Sequence, residues 1–135
     1  MSRKPETVFS QRIKDLKKLN KDYYFQAIET STSRGVADLF CVILGLQFWL
    51  ELKVNRAKKS TLNIGLSKYQ VAWQIVLNKH GGHCFNLVRV PEQRAVKTYR
   101  HEARGLIELA THPDTQDGLC TALEHMAEIV RSSRS

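Results

Sequence analysis

The first hydrophobic pattern along the chain has the spacing of three and four residues that is typical of a helix packed on a core. It begins at Glu6, and its apolar positions are Val8, Phe9, Ile13, Leu16 and Leu19. The aromatic segment 23–29 comes next, and its β-favouring residues predict a first strand. The chain therefore opens with a helix that is followed by a strand.

The second pattern is a nearly continuous apolar stretch over residues 35–53, which predicts two antiparallel strands joined by a turn at Gly45. If the loop is centred between Gly45 and Leu46, position 44 lies opposite 47, 40 opposite 51 and 38 opposite 53. Side chains alternate between the two faces of a strand, so three charged residues then share one face with two aromatic residues. They are Asp38, Glu51, Lys53, Phe40 and Trp49.

The helical spacing returns after position 67. Ser67 and Gln70 have the spacing of a reciprocal capping box, and Gly81-Gly82 supplies residues that end a helix in the left-handed conformation. The apolar residues that are expected to face the sheet between these signals are Val71, Ile75, Val76 and Leu77. Residues 84–90 predict a strand that follows a helical crossover and therefore runs parallel to a neighbour, and residues 95–99 predict an edge strand.

After residue 101 the predicted elements are helices only. The apolar positions of 106–110 suggest a short helix, and the spacing from Leu119 to Val130 predicts a last helix. We therefore expect an α/β fold in which residues 1–100 form a mixed sheet flanked by helices. Residues 101–135 are expected to form a helical extension packed on the same domain, because 135 residues have room for one modest core.

Composition narrows the class of partner. The chain has 21 Lys and Arg against 13 Asp and Glu, and the resulting net charge of +8 favours polyanions, of which nucleic acid is the commonest. Three widely separated cysteines, Cys41, Cys84 and Cys120, indicate free thiols in a reducing compartment. Because no apolar run suits a membrane span and the N-terminus lacks a signal-peptide pattern, we expect a soluble cytoplasmic protein with no membrane partner.

The charged residues of the 35–53 stretch are candidates for a metal site. Charges on half-buried strands cost several kcal/mol unless they are paired or bind a ligand. Asp38 and Glu51 are hard oxygen ligands that suit Mg²⁺ or Mn²⁺, and the Lys53 ammonium could orient or deprotonate a water or meet a phosphate oxygen. The alternative is a salt bridge between Asp38 and Lys53 at the sheet rim, with Glu51 solvated.

Three motifs in a fixed order resemble the PD-(D/E)XK nuclease superfamily, and within it the VRR-NUC and archaeal Holliday-junction-resolvase branches. They are Gly35-x-x-Asp38-Leu39, Glu51-x-Lys53 and Ser67-x-x-Gln70. The resemblance covers about residues 6–90. One departure is Ala37, which stands where the superfamily has a proline that shapes the turn and ligates nothing. The resemblance implies a restriction-endonuclease-like core with the element order α-β-β-β-α-β.

The resemblance also implies roles for particular residues. Asp38, Glu51, Lys53 and Gln70 would be catalytic, and the Mg²⁺ ligands would be Asp38 and Glu51 with help from Glu6, Mn²⁺ being an expected substitute. For Glu6 the alternative is a first-turn carboxylate favoured by the helix dipole. For Gln70 the alternative is the capping box alone, since we expect the box and the site to compete for one side chain.

Basic residues near these motifs are candidates for contacts with DNA phosphates. They are Arg34 in the loop before Asp38, and Arg56, Lys58, Lys59 and Lys68 after Lys53. Such contacts would position a DNA strand without reading its bases, and the alternative is an ordinary solvated surface.

Together these observations lead us to expect a Mg²⁺-dependent endodeoxyribonuclease that acts on branched or structured DNA, such as a Holliday junction or a flap. A four-way junction needs two cuts, so a homodimer is expected if junctions are the substrate. Two alternatives stay open: a non-catalytic basic DNA-binding module with a nuclease-like fold, and a small restriction-type enzyme that cuts a defined duplex sequence.

Overall fold

The computed structural model describes residues 4–28, 35–55 and 64–134, which form a six-stranded mixed sheet flanked by helices. The expected α/β class is therefore confirmed. The helices are α1 (Pro5–Asp15), α2 (Lys68–Lys79) and α3 (Gln116–Ser132), and short 3₁₀ turns follow at Leu16–Lys18 and Pro91–Gln93. The strands are β1 (Tyr23–Ala27), β2 (Leu39–Ile43), β3 (Leu46–Val54), β4 (Cys84–Val90), β5 (Ala95–Glu102) and β6 (Gly105–Pro113).

The strands lie in the sheet in the order in which they occur in the chain, from β1 to β6. Neighbours pair antiparallel except β3 and β4, which are parallel and are connected through α2. The parallel pairing predicted for residues 84–90 is confirmed. A parallel pair needs a long crossover, which explains why the middle of the chain is a helix and not another hairpin.

Helices α1 and α3 cover one face of the sheet and form the main core with it. Along α3, small and large apolar residues with helical spacing from Leu119 to Val130 are buried. In α1 and its 3₁₀ extension the buried residues are Phe9, Ile13 and Leu16. Val8 and Leu19, also predicted for this stripe, are 45% and 60% exposed, because the stripe that reaches the sheet is narrower than the spacing suggested.

Helix α2 packs mainly on β4 and β5, on the opposite face from α1 and α3. Its start and end agree with the sequence signals, since Ser67 is the N-cap and Gly81 has a φ of +86°. The expected apolar face is partly wrong, because Val76 is 56% exposed whereas Gln74 is fully buried. The helix therefore covers a polar strip of the sheet as well as an apolar one.

The C-terminal part differs from the predicted helical extension. Residues 106–110, predicted as a short helix, belong to strand β6, which pairs antiparallel with β5. A short apolar run fits helix and strand equally well by its spacing, and pairing with β5 decides between them. Strand β5 consequently lies inside the sheet and β6 forms the edge. Of the two helices predicted after residue 101, the described residues 101–134 contain the last one alone, as α3.

Asp114, after β6, ties distant parts of the fold together. Its carboxylate accepts hydrogen bonds from Arg12 of α1 at 2.9 Å and from Arg89 of β4 at 2.6 Å. Although burial alone would raise the pKa of Asp114, the two arginines outweigh it and lower that pKa.

Among the described helices, none is long and apolar enough to span a membrane.

Candidate active site

The β2–β3 hairpin brings the predicted charged residues to one face of the sheet. Phe40 pairs with Trp49, and their ring centroids lie 5.2 Å apart. Asp38 lies two residues before Phe40 and Glu51 two residues after Trp49, so alternation places both on this face. Lys53 Nζ lies 3.9 Å from Glu51 Oε2, in agreement with the predicted shared face.

The pairing register within the hairpin differs from the predicted one by two residues. Ile43 pairs with Leu46, and the loop consists of Leu44 and Gly45, with φ values of 54° and 82°. Two residues at positive φ give a tight loop whose twist suits a hairpin. The corrected register sets Asp38 level with Glu51. A shift by two residues keeps each side chain on the predicted face of the sheet. It does change the cross-strand pairs, so the predicted pairing of Asp38 with Lys53 is wrong.

Glu51 is the most unusual carboxylate of the described structure, because it is only 2% exposed. Its Oε2 accepts a hydrogen bond from Gln70 Nε2 at 2.9 Å, whereas its buried Oε1 has no hydrogen-bond partner among the described residues. Burial raises the pKa of Glu51 to about 8, and the Asp38 carboxylate adds to this rise while Lys53 opposes it. Ionised Glu51 is therefore only partly compensated by the Lys53 ammonium.

Asp38 is exposed, and it accepts hydrogen bonds from β3 and from the residue that follows β1. Its Oδ2 accepts a hydrogen bond from the Leu52 amide of β3 at 3.0 Å, and its carbonyl oxygen accepts one from the Ile28 amide at 2.9 Å. A proton on Glu51 would let the two carboxyl groups share a hydrogen bond, but two ionised carboxylates repel each other. The pair can thus hold either a proton or a cation.

Gln70 serves the helix cap and the carboxylate at the same time. Its Oε1 accepts a hydrogen bond from the Ser67 amide at 2.8 Å, and the Ser67 hydroxyl accepts one from the Gln70 amide at 3.2 Å. Its Nε2 donates to Glu51. The expectation that the capping box and the site compete is wrong, because the two ends of the side-chain amide face different partners.

The donor set of this site fits a hard divalent cation. Asp38 and Glu51 supply carboxylate oxygens, and the partnerless Oε1 of Glu51 is a buried polar atom that a cation would satisfy. Within residues 4–28, 35–55 and 64–134, no three His, Cys, Asp or Glu side chains converge as a metal site. A cation held here would therefore complete its coordination with water or substrate oxygens, as Mg²⁺ commonly does.

Glu6 lies near this site but does not join the carboxylate pair. It is exposed in the first turn of α1, and it lines a surface cleft together with Asp38, Ser10 and Lys14. The structure thus places Glu6 and Asp38 on the wall of one surface cleft. Its role as a further ligand stays a prediction.

The predicted phosphate-binding residues are described only in part. Lys68 is exposed at the first residue of α2, and its Nζ lies 5.3 Å from the Tyr69 ring centroid. The other four, Arg34, Arg56, Lys58 and Lys59, lie outside the described residues. Lys68 begins the helix that supplies Gln70, so one predicted cation lies two residues before the side chain that donates to Glu51.

Gly35 joins the loop before Asp38 to the start of α2. Its φ is +86°, and a Cβ at this position would lie 2.3 Å from the backbone oxygen of Tyr69. Glycine is required both by the left-handed conformation and by this close approach. The Gly35-x-x-Asp38 spacing therefore has a structural cause, which is the contact between this loop and the helix of Gln70.

The sequence reasoning missed a buried polar pair behind the site. Gln74 and Asn86 are both fully buried, and each side-chain amide donates to the other at 2.8 Å. Asn86 pairs with Glu51 across β3 and β4, and Gln74 lies one helical turn after Gln70. The signals that could have revealed the pair are an asparagine inside an apolar strand and a glutamine four residues after Gln70.

Comparison with known proteins assigns no family to the chain. No protein-family model matches it, and no curated protein matches its sequence. The choice among functions consequently rests on the residues described above and on the chemistry that their arrangement permits.

Proposed function

We propose that the chain is a metal-dependent endodeoxyribonuclease that hydrolyses phosphodiester bonds in branched or structured DNA. The observation that carries the proposal is the buried Glu51, whose Oε1 has no partner in the described structure and whose neighbours on the same face are Asp38 and Lys53. A carboxylate pair beside an ammonium group suits phosphodiester hydrolysis with a divalent cation. The motif order that resembles the PD-(D/E)XK superfamily supports the same activity.

Each residue of the site has a distinct role in this proposal. Asp38 and Glu51 would hold Mg²⁺ or Mn²⁺, which when bound supplies a Lewis acid and lowers the pKa of water. Gln70 fixes one Glu51 oxygen through its 2.9 Å hydrogen bond. Lys53 orients the attacking water or stabilises charge on a phosphate oxygen. The attacking water gives up a proton as its oxygen bonds to phosphorus, the opposite phosphorus–oxygen bond breaks, and the departing sugar oxygen takes up a proton from solvent.

The charge of the chain supports DNA as the substrate. A net charge of +8 attracts phosphates, and Lys68 places one cation at the start of the helix that supplies Gln70. No base-reading motif is recognisable in the sequence, so we propose recognition of DNA structure in preference to base sequence. For a four-way junction, two copies of the chain would make the two cuts.

The proposal is tested by cleavage of supercoiled, flap and four-way DNA in Mg²⁺, with nicks mapped on labelled strands. We expect Asp38→Ala, Glu51→Gln and Lys53→Ala to abolish cleavage, while Glu51→Gln leaves DNA binding within a few-fold of wild type. Glu128→Gln is the matched control, because this exposed carboxylate on α3 is paired with Arg131, away from the site. Equal cleavage by Glu51→Gln and wild type would exclude the proposed site.

A second candidate is a DNA-binding module without hydrolytic activity. It is favoured by one observation, namely that two carboxylates do not form a three-ligand cluster within the described residues. Wild type that binds DNA but never cuts it in Mg²⁺ or Mn²⁺ would establish this candidate. Cutting at one defined duplex sequence would instead indicate a restriction-type enzyme.

A further inference from the structure

Two aromatic rings continue the carboxylate face of the sheet beyond Glu51. Trp49 lies two residues before Glu51 on β3, which corresponds to about 7 Å along the strand. Phe40 pairs with it from β2, with ring centroids 5.2 Å apart and ring planes at 59°. Both rings are half-buried. The site is thus bordered on one side by apolar ring surface instead of solvated polar groups.

A third ring reaches this surface from α2. Trp73 lies three residues after Gln70, so the two side chains are on neighbouring positions of one helix face. Its ring centroid lies 5.5 Å from that of Trp49, at an interplanar angle of 84°, and it is also half-buried. We call Phe40, Trp49 and Trp73 the aromatic row.

The aromatic row belongs to neither hydrophobic cluster of the described structure. The main core lies between the sheet and helices α1 and α3, and the smaller cluster lies around Val88 and Tyr99. None of the three rings is buried in either cluster or packed against it. The three rings pack on one another and each keeps part of its surface open beside a polar site, which indicates a binding surface.

The charges around the row favour nucleic acid over an apolar partner. Lys53 lies beside Glu51 on the same face, and Lys68 precedes Gln70 on α2. At the edge strand β1, Lys17 Nζ lies 5.6 Å from the ring centroid of Tyr24, which is 44% exposed. A surface that combines aromatic rings with ammonium groups is suited to a strand that presents both bases and phosphates.

We propose that the aromatic row is a stacking platform for unpaired nucleobases next to the phosphate that the site cleaves. This inference rests on the proposed function and specifies its substrate class. Bases in a duplex stack on each other and conceal their ring faces, whereas unpaired bases offer them to protein aromatics. The substrate accordingly contains a single-stranded segment at the point of cleavage, as in a flap or the open centre of a branch. Every base has a ring face, so the platform selects for lack of pairing and not for sequence.

Intrinsic fluorescence tests the platform directly, because the only two tryptophans of the chain both belong to the row. Metal-free protein is titrated with a short oligothymidylate and with an oligomer of equal length made of abasic tetrahydrofuran nucleotides. The two probes carry the same phosphates and differ in their bases. We expect oligothymidylate to quench the fluorescence and to bind on the order of tenfold more tightly than the abasic oligomer.

A variant pair assigns the effect to the row. Phe40→Leu should bind oligothymidylate several-fold more weakly than wild type while its affinity for the abasic oligomer is unchanged, which also shows that the variant is folded. Val76→Ala is the control, since Val76 is 56% exposed on α2 and lies outside the row. We expect it to retain the wild-type preference for bases.

The outcomes separate this inference from the proposed function. Equal wild-type affinity for the two oligomers, or binding of oligothymidylate without a change in fluorescence, overturns the platform even if the protein cleaves DNA. A clear preference for bases supports the platform even if no cleavage occurs in Mg²⁺ or Mn²⁺, because the titration involves neither metal nor hydrolysis.

Discussion

Replacing Glu51 with glutamine should stabilise the metal-free protein at alkaline pH, although it should abolish the proposed activity. Glutamine has the shape of protonated glutamate. Its carbonyl oxygen can keep the hydrogen bond from Gln70, and its amide group can donate toward Asp38. The variant therefore mimics the neutral form of Glu51 and does not titrate.

The magnitude follows from the raised pKa of Glu51. Its ordinary value is 4.5 and its value in the folded chain is about 8, with burial as the largest cause and Asp38 next. The folded protein binds this proton more tightly than the unfolded chain. The stabilisation that this bound proton gives to the folded protein is thus complete below pH 4.5, and it is lost as the pH rises through about 8. At about 1.4 kcal/mol per pH unit, the loss is at most about 5 kcal/mol.

The assay is urea denaturation of wild type and Glu51→Gln at a series of pH values in a chelating buffer. We expect the free energy of unfolding of the variant to exceed that of wild type by an amount that grows between pH 5 and 8. Added Mg²⁺ should reduce this difference at pH 8, because a cation compensates the ionised pair in wild type. A difference that is constant with pH would refute the reasoning, as would an equal effect of Glu128→Gln.

Three further predictions concern parts of the fold around the site. Asn86→Leu leaves the buried Gln74 amide unpaired and should lower the free energy of unfolding by about 1–3 kcal/mol. The double variant with Gln74→Leu should lose less than the sum of the two single variants, because both amides are then removed together. Gly35→Ala should lower the melting temperature more than Gly45→Ala, since both have positive φ but only Gly35 closely approaches a backbone oxygen of α2; equal shifts would contradict this. Asp114→Asn should destabilise the protein by about 1–3 kcal/mol at pH 7. The difference in unfolding free energy between this variant and wild type should shrink below pH 3.8, because the pKa of the Asp114 carboxyl is lowered in the folded state and its stabilising effect is lost on protonation.

The elements with strong local signals were predictable from the sequence. Helix α2 is one, because Ser67 and Gln70 form the capping box that their spacing indicates and Gly81 takes the left-handed conformation. The hairpin and its faces were also predictable, since alternation alone assigns Glu51 and Lys53 to one side. What alternation cannot supply is the register, which depends on Leu44 adopting a positive φ that its residue type disfavours.

The remaining features depend on contacts between distant parts of the chain. Strand β6 forms because β5 offers a free edge, and no local signal in 106–110 distinguishes it from a helix. The burial of Gln74 depends on Asn86, twelve residues later, and the raised pKa of Glu51 depends on burial under α2. The sequence thus indicates the candidate residues, whereas their electrostatic environment requires the assembled sheet.

Because the Gln70 side chain bonds both the Ser67 amide and the Glu51 carboxylate, the stability of the first turn of α2 and the orientation of Glu51 are coupled. Fraying of the first turn of α2 breaks the hydrogen bond to the Ser67 amide and frees the side chain that fixes Glu51. Amide hydrogen exchange at Ser67 would therefore report how often the carboxylate is released from its orientation. A substrate or cofactor that needs Glu51 in one position should slow that exchange from a distance, without touching the residue observed.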